Sequence, residues 1–196
     1  MGGVRLICGV GVNDADYIIT KTHLENGKSI VDWKCPYYTK WSHMIERVYS
    51  KSGRYPITYA GCSVCDEWLT FSNFRKWMVT QDWEGKCLDK DLLVYKNRIY
   101  GPETCIFVSA DINNFINENR SRQGQYPIGV KYVDGVKHPY VAQIRDNKKK
   151  RHLGGFDNPT DAHYAWKVAK LEIAHRLARE CNCAITAESL VNRYQL

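Results

Sequence analysis

Asp89, Lys90 and Asp91 stand in a row, and Asn113 and Asn114 follow downstream. Carboxylates and side-chain amides are the oxygen donors that a hard divalent cation takes, so these residues form a cation site if the chain between them folds back. Residues 87–114, CLDKDLLVYKNRIYGPETCIFVSADINN, are organised to do that. The pattern predicts one β run over 88–94 and a second over 105–109. Asn97 and Gly101-Pro102 mark a loop between them. Ser109 is placed to cap a helix beginning at Ala110, with Asp111 in the first turn where the helix dipole favours a carboxylate. The order strand, loop, strand, helix brings Asp89 close to Asn113 and Asn114, a site for one divalent cation.

The cysteines offer a second kind of metal chemistry. Cys62 and Cys65 form a C-x-x-C pair, Cys35 precedes Pro36, and Cys105 opens the second strand. Four thiolates can close a tetrahedral structural zinc site, Zn2+, in a small domain. Buried free thiols are the alternative. Cys181 and Cys183 fall near the end of the last long helix, on different faces.

The rest of the chain must position these groups. Its 196 residues, 44% hydrophobic and 12% aromatic, are enough for one large or two small domains with a real core, which excludes disorder as the default state. No signal-like N-terminus and no bilayer-length apolar stretch is present. The expectation is an intracellular soluble protein whose eight cysteines are thiols or ligands. The net charge is +7, and residues 120–196 hold 14 Lys and Arg against 7 Asp and Glu, whereas residues 1–119 hold 14 of each. The C-terminal part is the candidate for meeting a polyanion.

In order, residues 1–34 read as an extended arm with one or two short strands. Their GVGVNDADY is a turn rather than a phosphate loop, because no Lys-Ser/Thr stands directly after its glycines and no βαβ pattern surrounds it. Trp41, Met44, Ile45, Val48 and Tyr49 fall on one face of an amphipathic helix. Phe71, Phe74, Trp77 and Met78 define a second helix, opened by Thr70 or Ser72. Trp41, Trp68 and Trp77 are assigned to packing. The polar stretch 117–127 is the best domain boundary.

Beyond it the pattern predicts three strands, 128–133, 140–145 and 150–156, with turns at Asp134-Gly135 and Asp146-Asn147. Asn158 and Pro159 then start a helix as cap and first residue. Its Ala162, Ala165, Trp166, Ala169, Ile173 and Leu177 can cover one face of the sheet. The other face keeps Lys131, Gln143, Arg145, Lys150 and His152. Arg can read guanine and Gln adenine in a major groove, and Lys148 and Lys149 in the turn can meet phosphates. A solvated basic face, or a face for an acidic protein, are the alternatives to double-stranded DNA.

The segment GVKYVDGVKHPYVAQIRDNKKKRHLGGFDNPTDAHYAW resembles the AP2 DNA-binding domain, through Gly129-Val130, Ala142-Gln143-Ile144-Arg145-Asp146 and Leu153-Gly154-Gly155-Phe156. The resemblance implies DNA contact by Lys131, Gln143, Arg145, Lys150 and His152. With CPYYTKW, GCSVCDEWLTFSNF and LDKDLLV, the whole chain resembles bacteriophage HNH homing endonucleases that carry an AP2 domain. That resemblance implies an α+β fold: an N-terminal arm (1–34), a ββα HNH-like domain (35–119), a linker (120–126) and a three-stranded AP2-like sheet on a helix (127–196). It also implies DNA cleavage with Mg2+ or Mn2+ in the cytoplasm of an infected bacterial host, with Asp89 and Asn113 as metal ligands.

Two positions depart from the family. Lys90 stands where the general-base His is expected, and Thr104 where an Asn usually fixes the loop. An ordinary lysine is protonated at neutral pH and takes no proton. Asp91 is the other candidate base, although strand alternation sends its side chain with Asp89 rather than Lys90. Two functions follow: a metal-dependent DNA endonuclease or nickase using Asp89, Lys90, Asp91 and Asn113, or a sequence-specific DNA-binding regulator in which the acidic cluster is structural.

Overall fold

The computed structural model describes residues 6–52, 59–117, 125–147 and 149–195. Among them the architecture is α+β, with five α-helices and several small sheets. Contacts divide the chain into two units, Met1–Val108 and Ser109–Leu196. No helix among the described residues is long and apolar enough to cross a membrane.

The first unit opens with a ribbon of β1 (Thr20–Glu25) and β2 (Lys28–Lys34). Asn26 and Gly27 turn it with φ of 51° and 73°, the positive pair that a tight hairpin matching strand twist requires. Pro36 begins α1 (Pro36–Tyr49) at a position whose N–H has no helical partner in any case. Trp41, Met44 and Ile45 then recur at helical spacing and are fully buried. After β3 (Ser63–Val64), a 3-10 turn (Asp66–Leu69) drives Trp68 into the same core, and α2 (Phe71–Met78) adds Phe71, Phe74 and Met78. The Trp41 indole N–H donates to the Trp68 carbonyl at 2.7 Å, whereas the buried Trp68 indole N–H has no hydrogen-bond acceptor among the described residues. Burial of each of these aromatic side chains contributes about 2–3 kcal/mol. β4 (Cys87–Asp89), β5 (Ile99–Tyr100) and β6 (Ile106–Val108) complete the unit. β4 runs antiparallel to β6, with Cys87 opposite Val108 and Asp89 opposite Ile106. β5 pairs in parallel with β3.

Two expectations are corrected here. The strand expected over 88–94 ends at Asp89, because the Asp89 side chain accepts the backbone N–H groups of Asp91 (2.9 Å) and Leu92 (2.7 Å). This local turn competes with the ladder and reverses the chain. Residues 1–34 are not an extended arm throughout. Ile7, Val10, Ala15, Tyr17 and Ile19 pack on the core, and Val12 bridges to Thr70.

The second unit begins with α3 (Ala110–Ile116), whose Ile112 N–H is capped by the Ser109 hydroxyl at 3.2 Å. Its last turn is held by cations. The buried Lys170 ammonium donates to the Phe115 carbonyl at 2.6 Å and lies 3.9 Å from that ring's centroid, and Arg193 donates to the Ile116 carbonyl. Positive charge at the C-terminal carbonyls suits the helix dipole, and these bonds explain why α3 groups with the residues after it. The boundary by contacts therefore precedes the linker expected at 120–126, of which 120–124 lie outside the described residues.

β7 (Val130–Tyr132), β8 (Tyr140–Asp146) and β9 (Lys149–Phe156) form one antiparallel sheet in that order. α4 (Pro159–Glu180) packs on it, capped by the Asn158 side chain, which accepts the Asp161 N–H at 2.9 Å. Ala162, Trp166, Ala169, Ile173 and Leu177 are its buried stripe. Gly129, at φ 85°, lies under Trp166: a Cβ there would sit 2.1 Å from the indole. α4 ends at Glu180, and a separate α5 (Ala184–Tyr194) follows. Cys181 and Cys183 lie in the extended connection, so helix-face reasoning does not apply to them.

Candidate nucleic-acid interface

The acidic cluster is a clasp around the β4–β5 loop. Lys90 is buried, and its ammonium donates to both Asp91 carboxylate oxygens at 2.8 and 2.9 Å and to the Asn97 carbonyl at 2.7 Å. The Asn97 amide donates in return to the Lys90 and Ile99 carbonyls at 2.9 and 2.6 Å. An ammonium with its three N–H groups so engaged has no lone pair with which to take a proton from water. Because the strand stops at Asp89, alternation no longer governs Asp91, and its side chain turns to Lys90 instead of away from it. Thr104, in place of the expected Asn, donates to the Ile99 carbonyl at 2.7 Å and fixes the same loop.

These donors do not fit a metal centre. One Asp89 oxygen is taken by two backbone N–H groups. Among the described residues no three His, Cys, Asp or Glu are gathered as a metal-holding group. The cysteine quartet is likewise not assembled. Cys35 contacts the Tyr17 hydroxyl at 3.3 Å. Burial pushes the Cys105 thiol up to about 12 and also raises Cys65. Zinc requires the opposite, an environment that favours thiolate.

The sheet gathers the residues expected to meet DNA. Lys131 lies opposite Val141, Gln143 opposite His152, and Arg145 opposite Lys150. Directly opposed residues share a face, as do residues two apart, so all five expected side chains are on one side. The register shifts between Ala142 and Gln143, leaving Leu153 as a bulge residue. That bulge allows Gly154 and Phe156 to join the α4 face while His152 and Lys150 stay opposite it.

The two faces differ in electrostatics. On the α4 face, Arg151 pairs with Glu172 at 2.8 Å and Asp146 with Arg176 at 2.6 Å. On the other, Lys131, Arg145 and Lys150 are exposed, and none of them forms an ion pair among the described residues. Lys149 is exposed opposite Asp146, on the α4 side of the strand end, and Lys148 lies outside the described residues. The loop before β8 crosses the far end of the open face. A Cβ on Gly155 would lie 2.9 Å from the His138 carbonyl, and His138 is held by Asp157 at 2.7 Å. Gln143, Arg145, Lys150 and His152 are left as the accessible part.

β1 and β2 meet the expectation of one or two short strands within residues 1–34, which does not include their pairing as a hairpin carrying Lys21, Lys28 and Lys34. The signal for it is Asn26-Gly27 between two β-branched runs. No protein-family description matches the chain, and neither a curated protein nor a solved structure is found to match it.

Proposed function

We propose that this chain binds double-stranded DNA in a sequence-directed way through the open face of β7, β8 and β9. The observation that carries the reading is the contrast between faces: cations are paired with carboxylates on the α4 side and left unpaired around Gln143 on the other. In a major groove, Arg145 donates two hydrogen bonds to a guanine edge, and Gln143 pairs with an adenine edge. Lys131 and Lys150 meet phosphates, and His152 adds a donor beside Gln143. The reading treats the sheet with α4 as AP2-like and residues 87–116 as the descendant of an HNH-like ββα element, working in the cytoplasm of an infected bacterial host.

Cleavage is left out of the proposal for a chemical reason. Asp89 and Asn113 holding Mg2+, with Lys90 or Asp91 as base, require side chains that are engaged otherwise: Lys90 and Asp91 are bonded to each other, and Asp89 holds the turn. The test is selection of a duplex from a random pool, followed by titration at several salt concentrations. The expected result is a selected sequence, steep salt dependence, loss of binding in Arg145→Ala, retained binding in Asp89→Ala, and an intact duplex with Mg2+ or Mn2+. Salt-independent binding, or cutting that Asp89→Ala abolishes, overturns it.

A further inference from the structure

The β1–β2 ribbon is left uncovered by its own unit: Thr20 is half-buried, and every other residue of the two strands is exposed. A lone two-stranded ribbon is marginal in water, and an exposed strand edge is a template for another strand. The apolar side chains favour the β2 edge. That strand carries Ile30, Val31 and Trp33, 39%, 57% and 42% exposed, whereas Leu24 is the large exposed apolar residue of β1.

Backbone geometry sets which groups the β2 edge offers. The two-residue turn Asn26-Gly27 closes on the pair Glu25 and Lys28, and the pair flanking such a turn exchanges both of its backbone bonds. Bonded and non-bonded pairs alternate along an antiparallel ladder, so His23 with Ile30 is the next bonded pair. Ser29 and Val31 therefore turn their N–H and C=O groups away from β1, and no backbone bond outside the ladder reaches either one among the described residues. The side chains divide by the same alternation. Lys28 and Ile30 lie opposite Glu25 and His23 on one face, and Asp32 joins them there, its carboxylate on the His23 ring at 2.6 Å. Ser29 and Val31 lie on the other face, opposite Leu24 and Thr22.

These constraints fit a second copy of the same strand. In a two-fold antiparallel pairing of β2 with itself about Ile30, Ser29 of each copy bonds Val31 of the other, and the outward groups of both residues are all used. Ile30 then meets its own equivalent at the close spacing of a non-bonded pair. The same register sets Lys28 directly against Asp32 of the second copy, on either side of the axis, and opposite charges so placed stabilise strand pairing. A polyanion finds no such match, because this face carries Lys21 and Lys28 against Glu25 and Asp32. On β1 the equivalent pairing centres on His23 and places it against its own copy, with Leu24 as the apolar contribution.

We propose that this chain forms a two-fold dimer by adding β2 to β2 of a second copy, with Ile30 at the axis and Lys28 paired with Asp32 on either side of it. The interface lies within the first unit and does not depend on whether the sheet of the second unit meets DNA. The experiment is sedimentation of the full chain over a concentration series, with Lys28→Asp and Asp32→Lys examined each alone and as an equimolar mixture, one of them carrying a fluorescent label. Wild type should sediment as a dimer at about 100 µM, a concentration that suits a small interface. Either variant alone opposes like charges at both contacts, and its dimer should be weaker by about tenfold or more. Mixing the two restores an opposite pair at both contacts, so a dimer with one copy of each should return. That return also shows that neither variant has merely lost its fold. A wild type that stays monomeric overturns the proposal, and so does a dimer that both variants leave unchanged, since its interface lies elsewhere. Variants that weaken the dimer without recovery on mixing overturn it as well, because the charges then do not face each other across the axis.

Discussion

The Lys90 ammonium lies 2.8 Å from one Asp91 oxygen, 2.9 Å from the other, and 2.7 Å from the Asn97 carbonyl, in a site where Lys90 itself is only 8% exposed. Burial of a cation is tolerated only where an anion and further acceptors surround it, and this loop supplies them. Lys90→Ala should therefore destabilise the protein by about 2–3 kcal/mol, because it removes the hydrogen bonds that the Lys90 ammonium gives to the Asp91 carboxylate and the Asn97 carbonyl. Lys90→Met fills the volume and should lose less than the alanine variant. Urea unfolding measures both, and duplex binding well below the midpoint should be unaffected. A variant as stable as wild type would remove the clasp as a structural device.

Arg145 and Lys150 face each other across the ladder, yet they should fail differently. Arg145→Ala removes a base contact and should cost about 1–3 kcal/mol on the selected duplex while relaxing preference at one base pair. Lys150→Ala removes a phosphate contact and should weaken all sequences alike, with the salt slope falling by about 1. Titration of selected and scrambled duplexes at three salt concentrations separates the two. Equal effects on both duplexes for Arg145→Ala would deny it a reading role.

The stripes Trp41, Met44, Ile45 and Ala162, Trp166, Ala169, Ile173 are legible in the sequence because burial on one side of a helix imposes its period. The shared face of Lys131, Gln143 and Arg145 is legible for the same reason at period two. The end of β4 is not. Asp89 is compatible with a strand by pattern, and only its side chain's competition for two N–H groups stops the ladder there. The bulge at Leu153 is equally silent, since a run of alternating polar residues looks the same with one residue inserted. Nor does the pattern reveal which partner α3 takes: that depends on Lys170, whose charge argues for solvent and whose actual place is against Phe115.

Gly129 offers a direct test of the second unit's packing. It combines φ 85° with a Cβ position 2.1 Å from the Trp166 ring, so any side chain meets both backbone strain and a ring held in the core. Gly129→Ala should lower stability by about 3 kcal/mol or more. Gly135, at φ 75° with open space around its Cβ position, carries the strain alone, and Gly135→Ala should lose about 1 kcal/mol. Thermal unfolding of the two variants checks the difference, and equal losses would mean that Trp166 gives way.

The core of the first unit predicts how stability responds to alkali. Cys105 is 3% exposed, and burial pushes its thiol from the ordinary 9.0 up to about 12. Burial raises Tyr100 as well, from 10.0. A raised folded-state value means that the unfolded chain releases its proton first. Stability is then complete below about pH 9 and is lost as pH rises toward 12, by at most about 1.4 kcal/mol per pH unit for one group. The urea midpoint should be flat from pH 7 to 8.5 and fall between pH 9 and 11. In Cys105→Ala, whose starting stability is lower for the lost packing, the fall should be shallower, since the other raised thiols and tyrosines remain. An unchanged slope in that variant would assign the alkaline loss to those groups and not to Cys105.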